Sequence, residues 1–415
     1  MTEHEGSGSE GLSEPVLEAF SKGYYEQMSH EAKWAEIDLD ALAYNMRNIR
    51  KKAGPDRRIA AVVKANAYGH GVIMMIDTLK ENGADQFAVA TLNEALELRK
   101  ALIEDDILVL GILPPGTEKI SIKADIQHAV ATYEKAKALS DAAQELGRNV
   151  RARVHIKLDT GMTRIGFQMT EEAIEEVLRI NELPGLDIEG IFTHFARADE
   201  ADRKWAVRQY ERYRWFTGEL EKRGMTFRIK HVSNSAAIME MPETYNNMVR
   251  PGIILYGIYP SDEMDPAALD IKPVMSFKTR ISHIKELPED RQVSYGGKYL
   301  ASKGDRIGTI SVGYADGYTR AQSGKAEVLY NGKRVKVIGN ICMDQCMIDL
   351  RDFPDAKVGD EVILIGRSGD EEITADEVAA RYGTIGYEVV CAVNRRVPRY
   401  YFKNGKIVNK VDYLE

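Results

Sequence analysis

The stretch RIAAVVKANAYGHG, residues 58–71, sets apolar burial against a positive charge. A run of small and β-branched apolar residues reads as a buried strand. It ends in Lys64, after which the chain turns through Asn66, Tyr68, Gly69, His70 and Gly71. Lysine is almost never fully buried unless it is paired or its pKa is shifted. A strand that delivers an ammonium group to its own C-terminal end therefore asks what waits for it there.

Seven further runs of the same kind follow: QFAVAT, ILVLGIL, QHAVAT, RARVHIKLD, IEGIFTHF, FRIKHVS and NMVRPGIIL. Between most of them lie segments such as NEALELRKALIE and TEEAIEEVLRINEL, whose apolar positions recur at three and four. That spacing turns one face of each helix toward a sheet. Eight βα units predict an α/β chain closed as a (β/α)8 TIM-type barrel over residues 34–272.

The pattern changes after residue 272. PVMSFKTRISHIKEL, DRIGTISVGYA, AEVLY and RVKVIG read as strands with turn signals between them. Asn331-Gly332 and Asn404-Gly405 each sit between apolar-alternating runs, the strongest short hairpin signal. Residues 273–415 therefore read as a C-terminal, mainly antiparallel β domain. One short helix, TADEVAARYG, is expected within it, with Thr374 and Glu377 placed as a capping box. Residues 1–33 form an N-terminal extension. Its first part, MTEHEGSGSEGLSE, is acidic and Gly/Ser-rich and reads as disordered. The next, PVLEAFSKGYYEQMSHEAKW, has weak helical periodicity.

The bulk properties exclude several classes. A net charge of −8 over 415 residues argues against nucleic acid or an anionic membrane as partner. The 3 cysteines, Cys342, Cys346 and Cys391, suit a reducing cytosol and no disulfide framework. Nothing reads as a membrane span or signal peptide, so the expected location is cytoplasmic. His194 and His231 lie on different strands without metal-ligand spacing, and no metal is expected.

Active sites of such barrels sit at the C-terminal ends of the strands. Those ends carry Lys64 and Tyr68, then Lys157, Asp159 and Arg164, then His194, then His231 and Ser235, then Arg250 and Gly252. Solvated strand ends account for one or two such residues, not for the whole layer. Position alone leaves two readings of Lys64: a side chain snorkelling out of the barrel mouth, or a Schiff-base amine helped by an apolar pocket. Barrels often hold phosphate in the loops after their last two strands, here SNSAA (233–237) and RPGII (250–254). Ser235 supplies a hydroxyl, and Gly252 lets backbone N–H groups approach an anion. A Schiff-base lysine beside a phosphate cradle suggests pyridoxal 5'-phosphate. In the second domain, Tyr295 in VSYGGKYLA and Asp344 in NICMDQCMIDL read equally well as ordinary turn residues.

AVVKANAYGHG, KLDTGMTRIG, FTHFARAD, NSAA, MVRPGIILYG, VSYGGKY, GYADGY, NICMDQCMID and RVPR, in that order, together resemble alanine racemase. The resemblance runs from about Trp34 to Tyr401 and covers both domains. It implies a pyridoxal-phosphate enzyme that interconverts L-alanine and D-alanine and supplies D-alanine for cell-wall peptidoglycan. It also implies a homodimer with shared sites. Lys64 would form the internal aldimine and then act as acid and base on the D face of Cα. Tyr295 of the partner subunit would serve the L face, because a proton removed from one side must return on the other.

Further roles come with the resemblance. Arg250 would face the pyridine nitrogen, donating a hydrogen bond without giving up a proton. His194 would act through a network leading to Arg250 and the tyrosine. Tyr68, Ser235, Gly252 and Ile253 would hold the phosphate, and Arg164 would steady the cofactor's phenolate. Met343 and Asp344 would enter from the partner near the substrate carboxylate. Lys157 stands where relatives often carry a carbamylated lysine; Asp159 offers it a plain ion pair instead. Before RVPR many members have a tyrosine that reaches the phosphate, where this chain has Arg395. A racemase of another small amino acid such as serine, and a non-catalytic pyridoxal-phosphate carrier, are the rival readings. A carrier would not need Tyr295 or the second domain.

Overall fold

The computed structural model describes residues 14–414 and divides the chain into two compact units. One comprises residues 41–274 and 383–391; the other comprises the described residues up to 40, residues 275–382 and those from 392 onward. The expected disorder of MTEHEGSGSEGLSE falls almost entirely outside the described residues.

The chain enters the second of these units first, through a helix (Glu14–His30) and strand β1 (Lys33–Asp38). The barrel unit then contributes β2 (Arg58–Val62), β3 (Gln86–Val89), β4 (Ile107–Val109), β5 (Gln127–Val130), β6 (Ala152–Lys157), β7 (Leu186–Phe192), β8 (Ile229–His231) and β9 (Met248–Val249). All eight coincide with the runs read from the sequence. They pair in parallel in the order β8-β7-β6-β5-β4-β3-β2-β9. The ring closes between β8 and β9 without a regular ladder. There Arg250 N donates to Ser233 O at 3.0 Å, and the Asn247 side chain bridges Lys230 N (2.7 Å) and Arg228 O (2.8 Å). Residues of β3, β4 and β5 are buried throughout, as strands covered on both faces must be.

The intervening helices begin where the sequence supplies caps. Thr91, Thr132 and Thr170 accept from the backbone N–H groups of Glu94, Lys135 and Ala173, each closing a first turn that lacks internal partners. Glu171–Asn181 buries Ala173, Ile174, Val177 and Ile180, the positions its period selects.

The β unit adds β10 (Met275–Glu286), β11 (Arg291–Val293), β12 (Tyr299–Ala301), β13 (Arg306–Ile310), β14 (Glu327–Tyr330), β15 (Lys333–Ile338), β16 (Cys346–Asp349), β17 (Glu361–Ser368), β18 (Glu371–Ile373), β19 (Arg399–Lys403) and β20 (Lys406–Val411). Its main sheet runs β18-β17-β14-β15-β16-β13-β10-β1-β19-β20, with β17 returning to pair β10. All its pairs are antiparallel except β1 with β19. Both Asn-Gly hairpins form, with Asn331, Gly332, Asn404 and Gly405 all at positive φ as a tight primed turn requires.

Two segments group with the other unit from the one their place in the chain suggests. β1 pairs with β10 and β19 in the mixed sheet. Residues 383–391, most of a second helix at Gly386–Ala392, group with the barrel. The single helix expected in the second domain is thus corrected to two. GYEVVCA is rich in β-branched residues and carries no helical period, so nothing in it announced a helix. The expected helix is Ala375–Ala380, and its capping box forms by half: Thr374 Oγ1 accepts from Glu377 N at 3.0 Å.

Candidate active site

Parallel strands deliver their C-terminal ends to one mouth, and the polar residues gather there. Lys64 lies two residues beyond β2, Lys157 ends β6, His194 follows β7 by two, His231 ends β8 and Arg250 follows β9. Lys64, Tyr68, Lys157, Arg164, His194, Ser235, Arg250, Gly252 and Ile253 line one cavity of about 560 Å³, together with apolar groups such as Leu110, Ile112 and Met162. That size suits a small-molecule site.

Lys64 opens an unusual turn. Ala65, Asn66, Ala67 and Tyr68 all take left-handed dihedrals, with φ of 52°, 54°, 53° and 53°. Four such residues cost on the order of 4–8 kcal/mol, so tertiary contacts must hold them. Glu94 Oε1 accepts from Ala65 N at 2.6 Å, Val63 O from Ala67 N at 2.9 Å, and Asn66 Oδ1 from Val72 N at 2.8 Å. Gly69, at φ 85°, ends the turn where an added Cβ would stand 2.4 Å from Val390 O. The strain is concentrated immediately after Lys64, on the residues that lead from it into the cavity wall. Burial, then the Arg164 charge, lowers the Lys64 pKa, easing loss of its proton.

The cradle is tight. Gly252 N donates to Ser235 Oγ at 2.9 Å, and a Cβ on Gly252 would come 2.8 Å from Tyr68 Oη. Burial raises the Tyr68 pKa, so its phenol stays protonated and able to donate. Arg250, 3% exposed, is pinned from below: Nη1 meets His231 Nδ1 at 2.8 Å, and Nη2 donates to Thr193 O at 2.8 Å and Val232 O at 3.1 Å. Burial lowers its pKa to about 10, which leaves it a cation at neutral pH. His194 Nδ1 lies 3.5 Å from Arg250 Nη2, and burial with Arg250 nearby holds its imidazole neutral.

Lys157 does not take the ion pair that Asp159 offered. Its Nζ donates to Leu158 O at 2.6 Å and Ile165 O at 3.2 Å, while the Asp159 carboxylate accepts from Gly161 N and Thr163 N at 3.1 and 2.9 Å. Burial first, then Arg250, lowers the Lys157 pKa to about 7.

With this geometry in view, comparison with known proteins is direct. The family model for the N-terminal domain of alanine racemase matches residues 37–260, and that for the C-terminal domain matches residues 274–401. The chain belongs to the alanine racemase family. It is an enzyme, an isomerase acting on an amino acid. Alanine racemase 1 of Clostridium acetobutylicum is 49% identical over 381 residues, covering 92% of this chain and 98% of that protein. A solved alanine racemase of Clostridium difficile 630 superposes with a TM-score of 0.89 at 43% identity, over 93% of this chain and all of that one. The Bacillus anthracis enzyme, solved with bound L-Ala-P, gives 0.87 at 38% identity, over 93% and 98% of the two chains.

Tyr295, Met343 and Asp344 belong to the β unit and gather there. Tyr295 follows Ser294, a non-glycine residue at φ 66°, whose Oγ donates to Asn340 O at 2.5 Å. Asn340 Nδ2 in turn donates to Tyr295 O at 2.5 Å, tying this turn to the loop that carries Met343. Tyr295 is 70% exposed and Met343 52%. Asp344 Oδ1 accepts from Arg396 Nη2 at 2.7 Å, and Arg396 Nε also faces the fully buried Asp316. Arg395, in the tyrosine's place, is exposed.

Several cavity residues escaped the sequence reading. Tyr387, 6.2 Å from the Tyr68 ring between centroids, comes from the unannounced helix. Asn234 was within a quoted motif, and its capping of Ser235–Glu240 was available from residue type. Asp199 also lay within a motif, but nothing in its spacing distinguished it. No helix among the described residues is long and apolar enough to cross a membrane.

Proposed function

We propose that the chain interconverts L-alanine and D-alanine as a homodimeric, pyridoxal-phosphate-dependent racemase of the cytoplasm, supplying D-alanine for peptidoglycan. The observation that carries this reading is the meeting, in one cavity, of a lysine whose pKa burial lowers, a glycine-and-hydroxyl cradle and a buried arginine. These residues fit the cofactor. Tyr68 Oη, Ser235 Oγ and the N–H groups of Gly252 and Ile253 would hold its phosphate, Lys64 its aldehyde carbon, and Arg164 its phenolate oxygen.

The bound cofactor supplies an electron sink that lets the Cα proton leave. Arg250 would donate a hydrogen bond to the ring nitrogen while keeping its own proton. That would leave the sink weaker than a protonated ring would make it, favouring rapid return of the proton over competing chemistry. Lys64 moves a proton at one face of Cα. The opposite face falls to Tyr295 of a second subunit, with Met343 and Asp344 beside the substrate carboxylate. The exposure of Tyr295 and Met343 in an otherwise ordered cluster supports that assignment. Lys157, with its pKa near 7, has the neutral amine that a carbamate requires, and the product would face Arg164. In this reading residues 34–272 bind the cofactor and 273–415 serve the neighbouring site.

Chiral chromatography of single L-amino acids incubated with the purified protein and pyridoxal phosphate tests the function. Conversion of L-alanine to an even mixture, with serine much slower, is the expected result. No conversion of alanine, despite retained cofactor, overturns it.

A further inference from the structure

Beneath Arg250 a line of polar side chains runs into the barrel. His231 Nε2 lies 2.9 Å from His155 Nδ1, and His155 Nε2 faces Glu189 Oε2 at 3.6 Å. Glu189 accepts from Arg153 Nε at 2.9 Å and Gln127 Nε2 at 2.8 Å, and Arg153 also meets Asp106 at 2.8 Å. Both imidazoles are fully buried and Glu189 is 7% exposed. The backbone makes room for this: a Cβ on Gly190 would stand 2.4 Å from His155 Nδ1, and the pairing of β6 with β7 shifts register at Val154 and His155.

The end groups leave one arrangement of protons. Guanidinium only donates, so the His231 Nδ1 that meets Arg250 must present a lone pair. The proton of a neutral His231 then sits on Nε2 and points at His155 Nδ1, which must also be bare. His155 therefore carries its proton on Nε2, toward a carboxylate that only accepts. An imidazolium at either ring would set N–H against N–H. Burial also holds both imidazoles below their ordinary pKa, while the neighbouring His155 ring and the Arg153 hydrogen bond outweigh burial at Glu189 and hold its carboxyl at about 2.

We propose that His155 and Glu189 are positioning residues for Arg250: with His231 they form a polar relay of single polarity, hydrogen-bonded from Arg250 through His231 to His155 and ended by the Glu189 carboxylate 3.6 Å beyond, that fixes the guanidinium as a donor in the cavity wall. The nearest carboxylate of this line stands two rings away from Arg250, and among the described residues no carboxylate pairs directly with the guanidinium. Its catalytic consequence rests on the function proposed above; its proton arrangement does not.

The test uses full-length protein labelled with 15N in histidine alone. Long-range 1H–15N spectra should show the proton on Nε2 of both His155 and His231, with a scalar coupling across the N–H···N contact between them. A proton on Nδ1 of either ring, or an imidazolium at either, overturns the relay. His155→Phe should then weaken pyridoxal-phosphate binding, followed by cofactor absorbance, about tenfold to a hundredfold, the size of a lost hydrogen bond in a charged chain. His155→Gln, which can accept from His231 and donate to Glu189, should restore most of it; equal losses overturn the positioning role. The predicted tautomers without racemisation of any amino acid would leave the relay standing and remove the functional reading. Racemisation with the wrong tautomers would remove the relay alone.

Discussion

Lys157 and Arg250 hold their cationic heads over one ring, Phe192, at 5.4 and 5.5 Å from its centroid. Burial raises the cost of charging both, and at Lys157 the Arg250 charge adds to it: the lysine pKa falls to about 7, while burial lowers that of Arg250 only to about 10. Because the folded value lies below the ordinary lysine value of 10.5, the unfolded chain binds more protons between those limits. Stability therefore falls as pH drops from about 10.5 to about 7, and the full penalty persists below. Lys157→Met should raise the unfolding free energy at about pH 6 by on the order of 3 kcal/mol, and by much less at about pH 10. Denaturant melts at the two pH values check this; a larger gain at the alkaline end would sink the assignment.

The same neutral amine should react with carbon dioxide. The Nζ lone pair attacks the carbon, an N–C bond forms, and the displaced proton goes to solvent. With 13C-labelled bicarbonate, a carbamate resonance should be present at about pH 8 and weaken toward about pH 6 as Nζ is protonated. Lys157→Ala should abolish it. A resonance unchanged in that variant belongs to another amine.

The cradle makes a steric prediction. Gly252→Ala would push a methyl to 2.8 Å from Tyr68 Oη, an overpacking worth about 1–3 kcal/mol of stability. Cofactor retention through gel filtration should fall with it. Adding Tyr68→Phe removes the offending oxygen, so stability should return while retention does not. A Gly252→Ala variant as stable and as well loaded as the parent refutes the cradle.

What the sequence revealed follows a physical line. The eight barrel strands were legible because strands covered on both faces must be short continuous apolar runs. The site layer was legible because strand ends bring distant polar residues together by topology alone. The left-handed turn after Lys64 was not. Asn66 and the two glycines tolerate it, but Ala65, Ala67 and Tyr68 take it in a setting the sequence does not show, where Glu94 accepts from Ala65 N and the Val390 backbone crowds Gly69. His155 and Glu189 were equally silent. A histidine inside an apolar strand acquires meaning only through partners 76 and 34 positions away.

The N-terminal extension resolves into a helix, Glu14–His30, lying ahead of the family match. Tyr24 and Met28 pack on a cluster of Trp34, Tyr400 and Ile407. Tyr25 Oη donates to Gly405 O at 2.9 Å, Tyr400 Oη donates to Glu31 at 2.9 Å, and Arg280 stacks 4.7 Å from the Trp34 ring. The helix is therefore a working part of the β unit, against β20 at the edge of its sheet. Deleting residues 1–30 should lower Tm by several degrees and promote association through the bared apolar face of Trp34, Tyr400 and Ile407. Unchanged melting and a clean elution profile would make the helix dispensable.

The shared-site proposal yields the sharpest test. Lys64→Ala removes the acid/base of one Cα face and Tyr295→Phe that of the other, so each homodimer should be nearly inactive, losing at least about a hundredfold in activity. If the two residues serve one site from different subunits, a mixed dimer contains one site with both defects and one with neither. Co-expression with two affinity tags isolates the mixed species, which should recover about half the parental activity per dimer, since one site in two is intact. Tyr295→Phe removes only a hydroxyl from a side chain 70% exposed, so folding of that partner is not at issue. A purified mixed dimer with no recovery would show that Lys64 and Tyr295 act within one subunit or not at all.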